Sequence, residues 1–497
     1  MRAAQFLTFI VGAFLSLQSS PPVRAADAFT FHQVLQRIID SYPTVQVAVL
    51  QTRRAQQEVL KVESQLGWNL NSFAAVNRDV SIIFEPTDRT SAGVGVNRQF
   101  SSGGRIGLDA AYIHEDSAGV FAPTLPNPVD QTNLDLSYRH PLAKGSGNPT
   151  YAQGLAQADA QLSLSHANQR GLYDSLARQA AELYYGGAGT QAALRSVERA
   201  IDRAERLKRY IRQNADLGIA EEKDVLQAEA QLRGRIAERQ VLIATWREQR
   251  TALNRLLVRA YDADFAPVTR ENGELPDNSY DRLLEIANVY SPDLQRAQAN
   301  LSIADSQIAL SRDTQRDTLD LVVAVGARNR SGDDAANNYL DETEAVGGLR
   351  LEYSRALDRR GVDAVLRQAL IDRDIANEQI RTVKDDLRYR LSGVLTDIES
   401  RRQAVADYRA HVAAEDRKLK EAVRRYRQGR TTTEILIQFE NDLFAAELML
   451  ERQLIELSRQ LVTRDLLLGT IWRDVRLPVA DRAAFEPPRD VADKATP

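Results

Sequence analysis

The sequence has 497 residues, 64 basic and 68 acidic side chains, a formal net charge of −4, and no cysteine. Mild acidity argues against nucleic acid as a partner. The lack of cysteine excludes disulfide staples and a lipid-modified N-terminal cysteine, so any membrane attachment must come from the fold.

The chain opens with Arg2 and an apolar run from Phe6 to Leu17, and Val23-Arg24-Ala25 places small residues before a cleavage point. This pattern predicts a secretory signal peptide over 1–25, cut after Ala25. Beyond it, no apolar stretch reaches the roughly 18 residues that a membrane-spanning helix needs.

The next segment occurs twice. Residues 31–76 align without a gap to residues 280–325 at an offset of 249, pairing Leu35 with Leu284, Pro43 with Pro292, Ala55 with Ala304 and Leu70 with Leu319. A second match, at an offset of 211, pairs Gly218 with Gly429, Glu229 with Glu440, Leu232 with Leu443 and Leu257 with Leu468. The chain therefore reads as two copies of one unit, expected over 26–257 and 280–475. A linker over 258–279 joins them, and a tail without fixed structure is expected over 476–497. The offsets differ by 38, so the first copy holds 38 extra residues between its matched blocks.

Residues from about 69 to 141 alternate with period two. Val94 and Val96 precede Phe100, then comes Ser101-Ser102-Gly103-Gly104-Arg105, then Ile106, Leu108, Ala110 and Tyr112. This is a hairpin pattern with a Gly-Gly turn, and it accounts for much of the excess. Leu134, Leu136 and Tyr138 continue the alternation against Asp135, Ser137 and Arg139. In the second copy, Leu319, Leu321, Val323 and Val325, then Leu349, Leu351 and Tyr353, form matching strands over about 319–354. One apolar and one polar face suit a barrel with lipid outside and water inside. Strands leaving the first helix of each copy run outward, so the loops Asp333–Glu344 and Ser117–Asn133 are expected on the cell exterior.

Long helical hairpins follow over 153–257 and 362–472. Leu155, Leu162, Gln169, Leu176, Leu183, Thr190, Val197, Ala204 and Ile211 recur every seven residues, and Val225, Leu232, Arg239, Trp246 and Leu253 return at that spacing. The second copy repeats this with Ile380, Leu387 and Val394. After a four-residue stutter come Ile398, Val405, Val412, Leu419 and Tyr426, with a return from Leu436 to Ile471. Such seams are coiled-coil signals. A helix over 153–216 would be roughly 95 Å long, too long for a compact domain. Gly218 and Gly429 sit where these helices reverse, and glycine takes the left-handed conformation that ends a helix. Gly186, Gly187 and Gly189 read as an ordinary helix irregularity.

Several short segments occur in the order helix, strand pair, long hairpin, twice over. They are the helix starts Tyr42-Pro43 and Ser291-Pro292, the stretch His140-Pro141-Leu142-Ala143-Lys144-Gly145 after a strand, and Tyr426-Arg427-Gln428-Gly429 with Thr431 at the second reversal. In these features the chain resembles the TolC family of outer-membrane efflux and export channels over nearly its whole length. The resemblance implies a fold that is mainly α with membrane β. Long coiled-coil hairpins would form a periplasmic tunnel, and at least four strands per subunit would enter one barrel shared by a homotrimer. It implies outer-membrane lipid around the barrel, and a periplasmic adaptor and an inner-membrane transporter as partners.

The resemblance also assigns roles to the hairpin tips. Leu217, Gly218 and Ile219, with Gln428, Gly429 and Arg430, occupy the positions that meet the adaptor. The family's closed tip is tied by a tyrosine, an arginine and an aspartate. Tyr426 and Asp224 match the first and last. Thr431 holds the arginine's place, with Arg430 beside it. The positions of an acidic ring that narrows some family pores hold Ile435 and Gln438, and Glu434 faces elsewhere on the helix.

Other functional classes find less support. His32, His114, His140, His166 and His411 are scattered without metal-ligand spacing. Asp333-Asp334 resembles half a calcium site that nothing completes. The glycine-rich stretches 102–107 and 145–147 lack a phosphate-loop lysine. Neither an enzyme nor a cofactor is expected. A periplasmic adaptor would have one hairpin, against which the duplication argues, and a structural coiled-coil protein would lack the alternating strands.

Overall fold

The computed structural model describes residues 28–80, 86–117, 128–218, 220–267, 279–332 and 343–477. The cleavage point at Ala25, Ile219, Asp333-Asp334, residues 268–278 of the linker and 478–497 of the tail lie outside the described residues.

The first copy runs β1 (Ala28–Phe29), α1 (Phe31–Ser41), α2 (Pro43–Glu63), β2 (Trp68–Asp79), β3 (Thr87–Gln99), β4 (Arg105–Ser117), β5 (Val129–Pro141), α3 (Pro149–Asp216) and α4 (Glu222–Leu256). After β6 (Ala266–Pro267), the second runs α5 (Tyr280–Tyr290), α6 (Pro292–Thr314), β7 (Thr318–Gly332), β8 (Thr343–Ser354), α7 (Arg360–Arg427) and α8 (Thr433–Leu467). The fold is mainly helical, with one antiparallel sheet of order β2-β3-β4-β5-β7-β8 and a small parallel pair, β1 with β6. Among the described residues, no helix is long and apolar enough to cross a membrane.

The duplication is visible in the element bounds. Adding 211 to the bounds of α3 and α4 gives those of α7 and α8, and adding 249 to those of α1 gives those of α5. The long helices α3 and α7 are 68 residues each, about 100 Å at 1.5 Å per residue. Their returning partners α4 and α8 are 35 residues each.

Local chemistry sets the helix starts. Thr30 Oγ1 accepts from the Gln33 amide at 3.4 Å, and Gln33 Oε1 accepts from the Thr30 amide at 2.8 Å, a reciprocal capping box for α1. Pro43 and Pro292 begin α2 and α6, where the missing N–H costs nothing. The same rule moves the start of α3 ahead of the expected residue 153. Pro149 is its first residue, and Asn148 Oδ1 caps it by accepting from the Tyr151 amide at 3.2 Å. Two expected loops are also shorter, because β5 already begins at Val129 and β8 at Thr343.

The heptad seams are the buried or half-buried lines of the hairpins, including the stretch around the stutter. Gln169, a polar position on the first seam, is satisfied. Gln169 accepts from Thr52 Oγ1 at 2.7 Å and donates to the Tyr173 hydroxyl at 2.6 Å. Gly186, Gly187 and Gly189 are not an irregularity but a notch for close packing. A Cβ on Gly187 would stand 2.8 Å from the Trp246 ring of α4, and one on Gly189 would overlap Ile455 of α8. Small residues here let α3 lie against both hairpins' return helices.

The largest core lies at the junction of the two copies. It joins Phe31, Leu35 and Ile38 of α1, Tyr173, Tyr184 and Tyr185 of α3, Leu253 of α4, Phe265, and Ile471, Trp472 and Leu477. The tail expected from 476 thus begins later. Leu477 is buried and the Arg476 amide donates to Gln36 Oε1.

Trp472 Nε1 donates to the buried carboxylate of Asp174 at 2.9 Å. Burial pushes the Asp174 carboxyl from 3.8 up to about 6, with the Trp472 bond and the Arg170 and Arg178 charges opposing. The site therefore favours the neutral acid. That contribution is fully present below the unfolded value near 4 and is lost as pH rises through the folded value near 6. Asp174→Asn keeps an acceptor for Trp472. It should raise stability at pH 8 by on the order of 2–3 kcal/mol and change it little at pH 4. Thermal melts at both pH values check this, and equal gains at the two would contradict it.

Candidate functional site

Two regions concentrate function-bearing side chains: the six-stranded sheet and the two hairpin tips. In the sheet, register decides which side chains share a face. One row runs Leu70, Val96, Leu108, Leu136, Val325 and Gly347, each directly opposite the next across neighbouring strands. Its neighbour runs Ser72, Val94, Ala110, Leu134, Ala327 and Ala345. This face is apolar and bare: Leu349 is 74 % exposed and Leu70 73 %. An apolar surface six strands wide marks a contact with lipid or another protein.

The opposite face is polar. A row of Asn71, Gly95, Asp109, Asp135, Gly326 and Val346 crosses it. The Asp109 carboxylate lies over Gly95 and that of Asp135 over Gly326, space that a side chain there would fill. Near the base, Arg139 donates to Asp320 and to Glu352 at 2.9 Å each, and Arg350 pairs with Glu352 at 2.9 Å. Among the described residues, the outer edges of β2 and β8 carry no strand partner. The chain contributes six strands to this sheet, above the minimum of four that the resemblance implied.

The tips share one backbone design. Gly218 and Gly429 take φ of 70° and 69°. The Gly218 amide donates to the Ala215 carbonyl at 2.9 Å, and that of Gly429 to Tyr426 at 3.0 Å. The Arg430 amide closes the second tip on the Arg425 carbonyl at 2.9 Å, the paired bonds of a Schellman ending. Leu217, Gln428 and the Arg430 side chain are exposed there.

The expected lock residues lie in one neighbourhood, but their bonds within the chain go elsewhere. The Tyr426 and Thr433 hydroxyls are 2.9 Å apart, and the Tyr426 ring meets the Tyr210 ring edge-on at 5.7 Å. Asp224 Oδ2 accepts from the Glu221 amide at 3.2 Å, capping α4. Burial raises the Tyr426 phenol pKa, the Thr433 bond opposes this, and the nearby Asp224 charge adds to it. Ile435 is exposed, and the Gln438 amide donates to Asp442 at 2.9 Å.

One connection escaped the sequence reading. Glu440 of α8 is buried and accepts from Arg203 Nε of α3 at 2.5 Å, tying the two hairpins together. Burial raises its pKa and Arg203 opposes that shift. Its counterpart Glu229 on α4 likewise pairs with a base on α3, Lys208, at 3.1 Å. The match of Glu229 with Glu440 in the two copies was the available signal, but it named no partner.

No protein-family model matches the sequence, and no curated protein matches it. Solved structures do match. The outer-membrane channel OprN aligns with a TM-score of 0.66 at 18 % identity, over 88 % of this chain and 89 % of that one. The CmeC outer-membrane channel of Campylobacter jejuni aligns at 0.66 and 12 %, over 97 % of both chains. The outer-membrane protein VceC of Vibrio cholerae aligns at 0.64 and 14 %, over 89 % and 95 %. The chain has the fold of TolC-type outer-membrane channels.

The faces of the sheet predict unequal tolerance to charge. Leu349→Arg or Leu136→Arg on the apolar face should sharply lower recovery in outer-membrane fractions, since a charge at mid-bilayer costs about 2–4 kcal/mol. Arg350→Ala on the polar face should leave recovery unchanged. Equal losses at both faces would contradict a lipid-facing sheet.

Proposed function

We propose that the chain is the subunit of an outer-membrane export channel. Three copies form one barrel in the membrane and one helical tunnel across the periplasm. It works with a periplasmic adaptor and an inner-membrane transporter and carries no catalytic site. The observation that carries this reading is the sheet itself. Among the described residues it has an apolar face, a polar face and two unpaired edges, and it stands on hairpins about 100 Å long. In lipid, unpaired backbone groups are too costly to leave open, so copies of the chain must pair their edges. The shared fold of the solved channels supports the same arrangement.

The orientation can be checked directly, because the chain has no cysteine of its own. Cysteines at Ser117 and Thr343, at the far ends of β4 and β8, should react with an impermeant thiol reagent on whole cells. Cysteines at Gly218 and Gly429 should react only after the outer membrane is permeabilised. The reverse pattern would overturn the reading.

We further propose that the tips are the gate. Leu217, Gly218 and Ile219 with Gln428, Gly429 and Arg430 meet the adaptor, while Asp224, Tyr426 and Arg430 hold the resting tips together. Charge-assisted bonds from a guanidinium to Asp224 are the stronger kind. At an exposed tip each is worth about 1 kcal/mol or less, because water competes. Repetition around a trimer lets weak bonds bias the gate, and an adaptor that binds open tips a few kcal/mol better opens it. Asp224→Ala with Tyr426→Phe should increase single-channel conductance at unchanged trimer yield. Conductance equal to wild type in both polarities would leave Asp224 as a helix cap only.

A further inference from the structure

The channel reading leaves the width of the barrel open, and the first copy's extra hairpin bears on it. A duplicated unit with two strands supplies four strands per chain, and β7 with β8 is such a pair. The first copy puts four strands, β2 to β5, into the sheet. The 38 residues by which the sequence offsets differ equal the stretch from Val80 to Ser117, which contains β3 and β4.

This insert is built into the sheet rather than laid on it. β3 pairs with β2 from Arg98 opposite Trp68 to Thr87 opposite Asp79, and β4 pairs with β5 from Arg105 opposite Arg139 to Glu115 opposite Val129. The two-faced pattern passes through it unbroken. Val94, Val96, Ile106 and Leu108 extend the apolar face, and Asn97 and Asp109 extend the polar one. Its turn is fastened to the start of α3. Asn148, which caps that helix, donates from Nδ2 to the Phe100 carbonyl at 3.1 Å, and the Gly147 amide donates to the Ser102 carbonyl at 3.0 Å. Gly103 turns the chain there with φ of 91°, so close to the Gly145 carbonyl and Pro141 that no side chain fits.

We propose that three copies close a barrel of eighteen strands, six from each, with β8 of one copy pairing to β2 of the next. This rests on the channel reading and adds the pore size to it. Six is even, so β8 and the next β2 run antiparallel and the alternation continues across each junction. With strands about 4.8 Å apart and tilted about 40°, eighteen strands give a backbone diameter of about 36 Å, against about 24 Å for twelve. Beside the sheet the helices are α2, α3, α6 and α7, and three copies of these four, side by side at about 9–10 Å, make a ring of about 36 Å too. The insert thus matches the barrel to the tunnel and admits wider hydrophilic cargo from the tunnel to the exterior.

The test compares the full chain with a variant lacking residues 80–117, in which both copies carry two strands. Each is reconstituted in planar bilayers, and polyethylene glycols of graded size are added on the exterior side. The full chain should admit polymers about 1.5-fold wider than the deletion does, since diameter grows roughly linearly with strand number. Equal cut-offs with both proteins conducting would overturn the wide barrel and leave the channel reading standing. A full chain that neither conducts nor assembles would instead overturn the channel reading. A second measurement on full-length protein holds even where the deletion fails to assemble. Single cysteines at Val94, Leu108, Asn97 and Asp109 carry an environment-sensitive fluorophore in vesicles containing spin-labelled lipid. Val94 and Leu108 should be quenched, and Asn97 and Asp109 should not. Absence of quenching at all four would place the insert inside the lumen and overturn the proposal.

Discussion

The architecture depends on one constraint: a strand in lipid must have every backbone N–H and C=O bonded to another strand. Among the described residues, the long unpaired edges of the six-stranded sheet are the outer ones of β2 and β8. Under the proposed channel reading, one chain is therefore incomplete by itself. Its apolar face is carried by exposed residues such as Leu70, Leu136 and Leu349. In the proposed channel, oligomerisation follows from the backbone before any side-chain contact between copies is considered.

The helices answer a different problem, that of reach. Two 68-residue helices cannot fold back into a compact domain, so each is stabilised by a heptad seam, with a 35-residue return helix along the tip half and α2 or α6 along the rest. Packing is tightest where α3 meets both α4 and α8. The glycines at 187 and 189 admit Trp246 and Ile455 there. Farther toward the tips, half-buried Arg203 and buried Glu440 bridge α3 and α8. Breaking one partner would leave a buried charge uncompensated, so this pair couples the hairpins more firmly than the exposed ion pairs along their surfaces.

Duplication explains why so much repeats, and the copies depart from it at particular places. α3 and α7 share length and turning glycine, though Asn148 caps α3 and α7 starts without a side-chain cap. Yet Tyr426 in the second tip corresponds to Ala215 in the first, and only the second tip places a phenol against Thr433. The 38-residue insert is the other departure, and it changes the sheet rather than the helices.

Much of this was legible in the residues alone. The seven-residue seams, the two turning glycines and the period-two alternation fixed element type, because each periodicity projects one set of side chains onto one face. The doubled segments revealed the copies without any knowledge of contacts. The sequence could not say that Gly187 and Gly189 are contact points, because a notch exists only relative to the side chain that fills it. Nor could it reveal that Tyr426 would bond to Thr433 while Asp224 caps its own helix, since local hydrogen bonds compete with distant ones and the winner depends on distance. The extra hairpin was readable as a hairpin, but its place between β2 and β5 was decided by register. Strand pairing is a long-range choice among edges, and only the folded sheet brings the candidate edges together.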